Sequence, residues 1–229
     1  ETTGLDAKTC QIIELAAIRI EQTDRGTLRM AASLDEFIRL PEGEKLPEQI
    51  TKLTGITDEM LEKQGLDEDD VVCDFETLLD DTAGPVLLAA HNAQFDLLFT
   101  QAMADRYDRP CAELLARADY LDTLTVYKDR RAYPHKLANA ITAYKLEDKV
   151  QNSHRALDDV AALFEVCKAM DDERADLLEY VNIFGYNPKY GVGGPRIDGV
   201  TYWPQRFNKF MQSPSYTLPA LAKGGRDHG

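Results

Sequence analysis

VLLAAHNAQFD, residues 86–96, is the stretch whose reading decides the fold. Gly84-Pro85 breaks the chain ahead of it, and Val86–Ala90 is an apolar run of strand length. A glycine-free turn through His91-Asn92 follows, and residues 95–106 take up helical spacing. Asp96 is thereby delivered to the first turn of a helix, just beyond the end of a strand. Strand, turn and helix in such close succession are the unit of an α/β sheet.

Working outward, QIIELAAIRI (11–20) reads as a strand buried on both faces, and residues 34–40 as a second strand with alternating apolar positions. Pro47 suits the first position of a helix that stops at Gly55, and Thr57 caps another that ends near Gly65. Between Asp69 and Asp81, Val71, Val72, Phe75, Leu78 and Leu79 recur at helical spacing. A strand is expected over 117–121, two short helices around Pro134, and a long helix over about 155–170. Strands first, then strand–helix alternation, imply a mixed-direction α/β sheet. Beyond about residue 182, glycine and proline cluster and helical periodicity disappears, with one short strand expected at Val200–Trp203. GVGGPR (191–196) lacks the Gly-Lys-Ser/Thr that closes a phosphate-binding loop.

The 229 residues carry a net charge of −14, which argues against broad electrostatic binding to nucleic acid. The distribution is uneven. Residues 182–229 hold six basic side chains against Asp198 and Asp227, so the negative charge resides in the first 181 residues. No apolar run approaches the roughly 20 residues that cross a bilayer. Cys10, Cys73, Cys111 and Cys167 are scattered and form no CxxC pair, which fits reduced cytosolic thiols. Nothing at Glu1-Thr2-Thr3-Gly4 resembles an export signal, so the expected location is cytoplasmic.

Three segments carry chemistry: ETTGL (1–5), HNAQFD (91–96) and HRALDD (154–159). Each puts carboxylates where strands end or helices begin. Hard divalent cations take oxygen ligands and keep some waters, so a few converging carboxylates suffice to hold them. Two ions about 4 Å apart can orient a water and stabilise a phosphodiester's transition state and leaving oxygen. Taken singly the segments are ambiguous. Asp96 is equally explained by the helix dipole, and Asn92 by the turn. His154 and Asp158, four apart, would share a helix face as an ordinary surface pair. Histidine is nevertheless the side chain best suited to take a proton from water near neutral pH.

Together and in this order the segments resemble the DEDDh branch of the DnaQ-like exonucleases, a family that includes proofreading subunits of bacterial replicative polymerases. ETTGL is similar to the end of its Asp-x-Glu-Thr-Thr-Gly motif, HNAQFD to its second motif, and HRALDD to His-x-Ala-x-x-Asp. LPEQITKLTGITDEML (46–61) and YLDTL (120–124) add to the likeness, which covers about residues 1–170.

The resemblance implies a ribonuclease H-like fold, a mixed five-stranded sheet flanked by helices. It gives an exonuclease domain over 1–176 followed by a basic, aromatic, Gly/Pro-rich extension over 177–229. It implies hydrolysis of 3′-terminal phosphodiesters to nucleoside 5′-monophosphates, with DNA favoured. Glu1, Asp96 and Asp159 become ligands of two Mg²⁺ ions (or Mn²⁺ in their place), and His154 the general base. On this count Asp159 rather than Asp158 is the ligand, with His154 on the loop before the helix and Asp158 facing solvent. Thr3, Gly4, Leu5, Gly55, Asn92 and Phe95 would lie by the terminal nucleotide, and Asp122 is read as a helix cap. The expected partners are a single-stranded or frayed 3′ end and a polymerase or repair protein, with no membrane. The family's first aspartate stands two residues before the position of Glu1, with its central strand before that. Neither falls within these residues, so one incomplete metal position is expected of them by themselves. A non-catalytic binding module on the same fold and an oligoribonuclease-like RNA exonuclease remain the alternatives. The extension's basic and aromatic residues suit either a single strand or packing against the catalytic domain.

Overall fold

In the computed structural model, which describes residues 1–24, 26–80, 85–107, 110–150, 155–205 and 216–218, four chain segments lie side by side around Ile13. The Ile13 N–H donates to the Glu1 carbonyl at 2.9 Å, and the Ile13 carbonyl accepts from Ile38 at 3.0 Å. Thr2 bridges antiparallel to Ile12, and Ile38 bridges in parallel to Leu66. Ile13 and Ile38 have no exposed surface, so this crossing is also an apolar centre.

Internal contacts divide the chain into two units. The first comprises Glu1–Val86, Leu98–Arg117 and Val150–Ala162. Its strands β1 (Glu14–Gln22) and β2 (Leu28–Phe37) form an antiparallel hairpin with a register shift between Arg19 and Ile20. Helices α1 (Glu48–Thr54), α2 (Asp58–Gln64) and α3 (Glu68–Asp80) follow. Helix α1 ends on Gly55, whose φ of 75° is the left-handed stop that a side chain would resist. The Thr57 hydroxyl accepts from the Met60 N–H at 3.2 Å, capping α2 as its sequence position predicts. Ile13, Leu46, Ile56 and Leu61 form a buried cluster with Phe37, Leu40 and Ile50 packed against it. Helix α3 contributes buried Val71, Val72, Phe75 and Leu79, and lies against β2 and against α5 (Pro110–Arg117).

The second unit comprises Leu87–Leu97, Ala118–Lys149 and Leu163–Gly229. Strand β3 (Leu87–Ala90) pairs in parallel with β4 (Asp119–Asp122), and α4 (Ala93–Asp105) follows β3 after a two-residue turn. Helices α6 (Thr123–Arg130) and α7 (Leu137–Ala143) come next, then α8 (Ala156–Glu173) and a 3₁₀ turn at Leu177–Tyr180. Strands β5 (Ile183–Tyr186) and β6 (Thr201–Pro204) form a second parallel pair. Helices α4 and α8 each contribute residues to both units.

The architecture is mixed α/β, as the sequence predicts, and its details differ in five places. The strand expected over 11–20 runs as Glu14–Gln22 and is half-buried for most of its length, because residues 11–13 pair instead with Glu1–Thr3. The strand expected over 34–40 covers Leu28–Phe37, because a turn closed by Thr23 and Thr27 draws residues 28–33 into the ladder. Helix α5, opened by Pro110, and strand β5 were not anticipated. The described strands form three two-stranded ladders, where the expectation was one five-stranded sheet with its first central strand outside these residues. Between the two parallel ladders a single residue substitutes for strand pairing. Asn182, at φ 59°, donates its N–H to the Tyr120 carbonyl (2.8 Å), and its side-chain oxygen accepts from the Tyr120 N–H (2.9 Å). Its own carbonyl then accepts from Thr201 at 2.8 Å.

Arg130 is the largest fully buried side chain of the second unit. Its guanidinium donates to the Met170 carbonyl at 2.6 Å and to Asp176 at 2.5 Å. Neighbouring Asp129 accepts from the Tyr180 hydroxyl (2.8 Å), the Thr217 hydroxyl (2.9 Å) and the Leu218 N–H (3.2 Å). Removing one partner of a buried pair leaves the other charge uncompensated. Arg130→Ala should therefore lower the unfolding free energy by about 3–5 kcal/mol in urea denaturation. The lower figure is expected, since Arg174 still faces Asp176 at 2.9 Å.

Candidate active site

In the first unit two of the three acidic segments meet at one residue. Glu14 is only 2% exposed, although it is charged. Its carboxylate accepts from Arg155 Nε at 2.9 Å and from the Ala156 N–H at 3.1 Å. Ala156 is the first residue of α8, so Glu14 satisfies an N–H that the helix leaves without an internal partner. The Glu14 carbonyl in turn accepts from the Glu1 main-chain nitrogen at 2.7 Å. Arg155 also lies over the Phe37 ring, 5.0 Å from its centroid. Main chain and side chain of Glu14 thus hold the ETTGL segment and the start of α8 together.

Asp158 and Asp159 both stand in the first turn of α8, and both are half-buried. This corrects the expectation that Asp158 faces solvent: it is half-buried within the helix, which begins two residues before it. Asp158 takes part in a local carboxylate cluster. Burial first, then the charges of Glu14 and Asp158, push the Asp35 carboxyl above its ordinary value, while Arg155 draws it back. His154 lies outside the described residues.

Within ETTGL the conformation is set locally. The Thr2 hydroxyl donates to the Gly4 carbonyl at 2.6 Å, and Thr3 exchanges hydrogen bonds with Gln11, N–H to carbonyl at 2.9 Å and hydroxyl from N–H at 3.1 Å. A Cβ on Gly4 would come within 2.6 Å of the Cys10 sulfur, so only glycine fits without displacing that side chain. Leu5 is 88% exposed, an apolar side chain offered to solvent. Gly55 is accounted for by the end of α1, and the Ile56 N–H after it donates to the buried Thr54 hydroxyl at 3.1 Å.

The HNAQFD segment belongs to the second unit, where Asp122 organises it. Asp122 caps α6 as expected, accepting from Leu124 at 3.1 Å and from the Thr125 hydroxyl at 2.7 Å. It also accepts from the N–H groups of Asn92 (2.9 Å) and Ala93 (3.2 Å), which fixes the turn into α4. Asn92 has a φ of 82°, a value that asparagine tolerates better than most residues. Asp96 is exposed in the first turn of α4, and Phe95 beside it is half-buried. His91 is a post within the unit: its Nε2 donates to the His135 carbonyl at 2.9 Å, and Nδ1 lies 3.0 Å from the Thr123 hydroxyl. Burial lowers the pKa of both His91 and His135.

Comparison with known proteins decides what these segments belong to. A family model described as exonuclease (RNase_T) matches residues 1–167. The chain belongs to this exonuclease family. Among curated proteins it is 33% identical over 197 residues to the PolC-type DNA polymerase III of Latilactobacillus sakei, covering 84% of this chain and 12% of that one. It is 31% identical over 186 residues to the PolC-type DNA polymerase III of Bacillus subtilis, covering 79% and 12%. The chain thus spans about an eighth of the length of these relatives. Among solved structures it resembles E. coli exonuclease I in complex with a dT13 oligonucleotide (TM-score 0.64, 18% identity, 79% of this chain and 41% of that one). It also resembles cell-death related nuclease 4 (TM-score 0.58, 14% identity, 72% and 58%). These two likenesses show the fold.

Measured against the exonuclease family, the donors implied by the resemblance are all carboxylates, the chemistry a hard cation requires. Glu1 and Asp159 belong to the first unit and Asp96 to the second. Among the described residues no group of three or more His, Cys, Asp or Glu side chains is placed to hold a metal ion. Mg²⁺ fits such a donor set nonetheless, because it keeps several waters and binds through one or two carboxylates plus substrate phosphate oxygens.

Sequence reading missed Glu14 and the anchoring role of Asp122. The signal for Glu14 was available: a carboxylate inside the apolar run QIIELAAIRI must find partners or stay out of the core. Glu14→Ala should destabilise the protein by about 1–3 kcal/mol, since it leaves the Ala156 N–H without an acceptor while the part-exposed Arg155 guanidinium can turn to water. Glu14→Gln, which keeps an acceptor, should recover part of that loss in the same urea titration. The two depressed imidazoles give a pH dependence of known sign. Below the ordinary histidine value of 6.5 the unfolded chain takes up protons that folded His91 and His135 refuse. Stability should therefore fall as the pH drops below 6.5 toward the depressed values, and a His135→Gln variant should show a shallower fall.

Proposed function

We propose that the chain is a metal-dependent 3′→5′ exonuclease that releases nucleoside 5′-monophosphates from the end of a DNA strand. The observation that carries this reading is the family match over residues 1–167, within which all three acidic segments fall in order. Glu1, Asp96 and Asp159 are the proposed Mg²⁺ ligands, with Mn²⁺ able to replace it. The bound ions would supply Lewis-acid stabilisation of the charge that develops on the phosphoryl and leaving oxygens. His154 is the proposed base that removes a proton from the attacking water. Thr3, Gly4 and exposed Leu5 are assigned to the terminal nucleotide with Asn92, Phe95 and Gly55, the last of which also makes the turn after α1.

The relatives are DNA polymerases III of PolC type, which supports a proofreading role beside a polymerase activity, in a cytoplasmic setting. No helix among the described residues is long and apolar enough to cross a membrane.

A 5′-labelled single-stranded oligonucleotide tests the reading. Mg²⁺ should produce a ladder shortened from the 3′ end, chelation should stop it, and an RNA strand of the same sequence should be cut more slowly. His154→Ala should slow release by about 10²–10⁴-fold while leaving Mg²⁺ affinity intact. Asp159→Ala should lose both rate and Mg²⁺ affinity, and Asp158→Ala should keep both. Exchanged behaviour at 158 and 159 would put the ligand at Asp158. Strand binding without release in either metal would make the chain a binding module.

A further inference from the structure

The loop between β5 and β6 lies beyond the segment that the family model matches, yet it is fastened to the second motif. Gln94, two residues before Asp96, commits both ends of its amide to it. Its nitrogen donates to the Gly193 carbonyl at 3.1 Å and to the Pro195 carbonyl, and its oxygen accepts from the Tyr202 hydroxyl at 2.5 Å. The same hydroxyl accepts from the Ile197 N–H at 2.9 Å. Residues 193–197 are therefore mounted on the first turn of α4, the turn that carries Asp96.

On this frame the aromatic side chains divide into two kinds. Phe184 is buried and stacks edge-on against Tyr202 at 6.0 Å, so these two serve packing. Tyr190 is 74% exposed and packs nothing away. Two cations accompany the aromatics: Lys189 Nζ lies 5.1 Å from the Tyr190 ring centroid, and the Arg196 guanidinium lies 4.7 Å from that of Tyr202. Neither pairs with a carboxylate among the described residues, and Asp198 is the one acid between Asn187 and Val200. A cation held over a ring keeps its outward N–H groups for other acceptors, and an exposed ring offers a face to a base. In a chain of net charge −14 the general field repels a polyanion, so a strand must be held where cations are locally unopposed.

We infer that Lys189, Tyr190 and Arg196 form a grip for single-stranded nucleic acid, holding the strand that leads to the 3′ end while Gln94 fixes the grip to the active-site helix. This rests on the exonuclease reading. It adds a subsite of mixed phosphate and base recognition, outside the three motifs.

The test is binding of the full chain to a fluorescent single-stranded oligodeoxynucleotide in chelator, where nothing is cut, across a salt series. The Lys189→Ala/Arg196→Ala double variant should bind more weakly and lower the log–log salt slope by about 1.4, or about 0.7 for each phosphate contact. Tyr190→Ala should weaken binding by roughly 5- to 100-fold with the slope unchanged, as loss of one stacked base requires. All three side chains are exposed, and circular dichroism should show the variants folded. An unchanged slope in the double variant, parental affinity in Tyr190→Ala, or no binding by the parent would each overturn the grip. The expected binding pattern without any Mg²⁺-dependent release would sink the exonuclease reading and leave the grip standing. Release with variants that bind as the parent does would sink the grip alone.

Discussion

Glu14 is the residue on which the arrangement of the first unit depends. A carboxylate with 2% exposure is costly unless its oxygens are met by strong donors, and Arg155 and the Ala156 N–H are those donors. Meeting that requirement fixes where α8 begins, and hence where Asp158 and Asp159 stand. The main chain of the same residue holds Glu1. A single desolvated charge therefore converts two segments more than 150 residues apart in sequence into one local structure.

The second unit solves the same problem with Asp122, and a division of labour emerges between two kinds of carboxylate. Glu14, Asp122, Asp129 and Asp176 are buried, and each is ringed by N–H, hydroxyl or guanidinium donors. They hold backbone. Glu1, Asp96 and Asp159, the carboxylates proposed to bind metal, are half-buried or exposed. Such accessibility suits groups that must exchange water for a cation and a substrate. Burial and donor supply, more than sequence spacing, separate the acids that build the site from those that could act in it.

This distinction explains how far the sequence could be read. The strand–turn–helix of residues 86–99 was legible because a short apolar run, a polar turn and a helical repeat follow one another directly. Thr57 and Gly55 were legible because caps are local chemistry. The anchoring roles of Asp122 and Gln94 were not, because their partners lie 29 to 108 residues away, and no local pattern encodes them. Strand β5 escaped notice for a related reason. Its four residues gain their identity from pairing with β6 and from the bonds of neighbouring Asn182 to Tyr120, partners that lie outside any short window. The exposure of Asp158 was misjudged because Glu14, which packs against the first turn of α8 through Arg155 and Ala156, lies in another part of the chain.

The Asn182 link and the Asp129 hydrogen bonds also dictate an order of events during synthesis. Strands β3 and β4 are complete once residue 122 has been made, but Tyr120 must wait for Asn182, Gln94 for Pro195, and Asp129 for Leu218. On a ribosome the hairpin and first helices of the first unit can assemble early, from neighbours in sequence. The second unit lacks these partners until residue 218 has emerged. Contacts this distant in sequence close slowly. Until residues 193–202 are made, the HNAQFD turn has Asp122 but lacks the hold that Gln94 provides, and that interval is when a chaperone or a protease would find it.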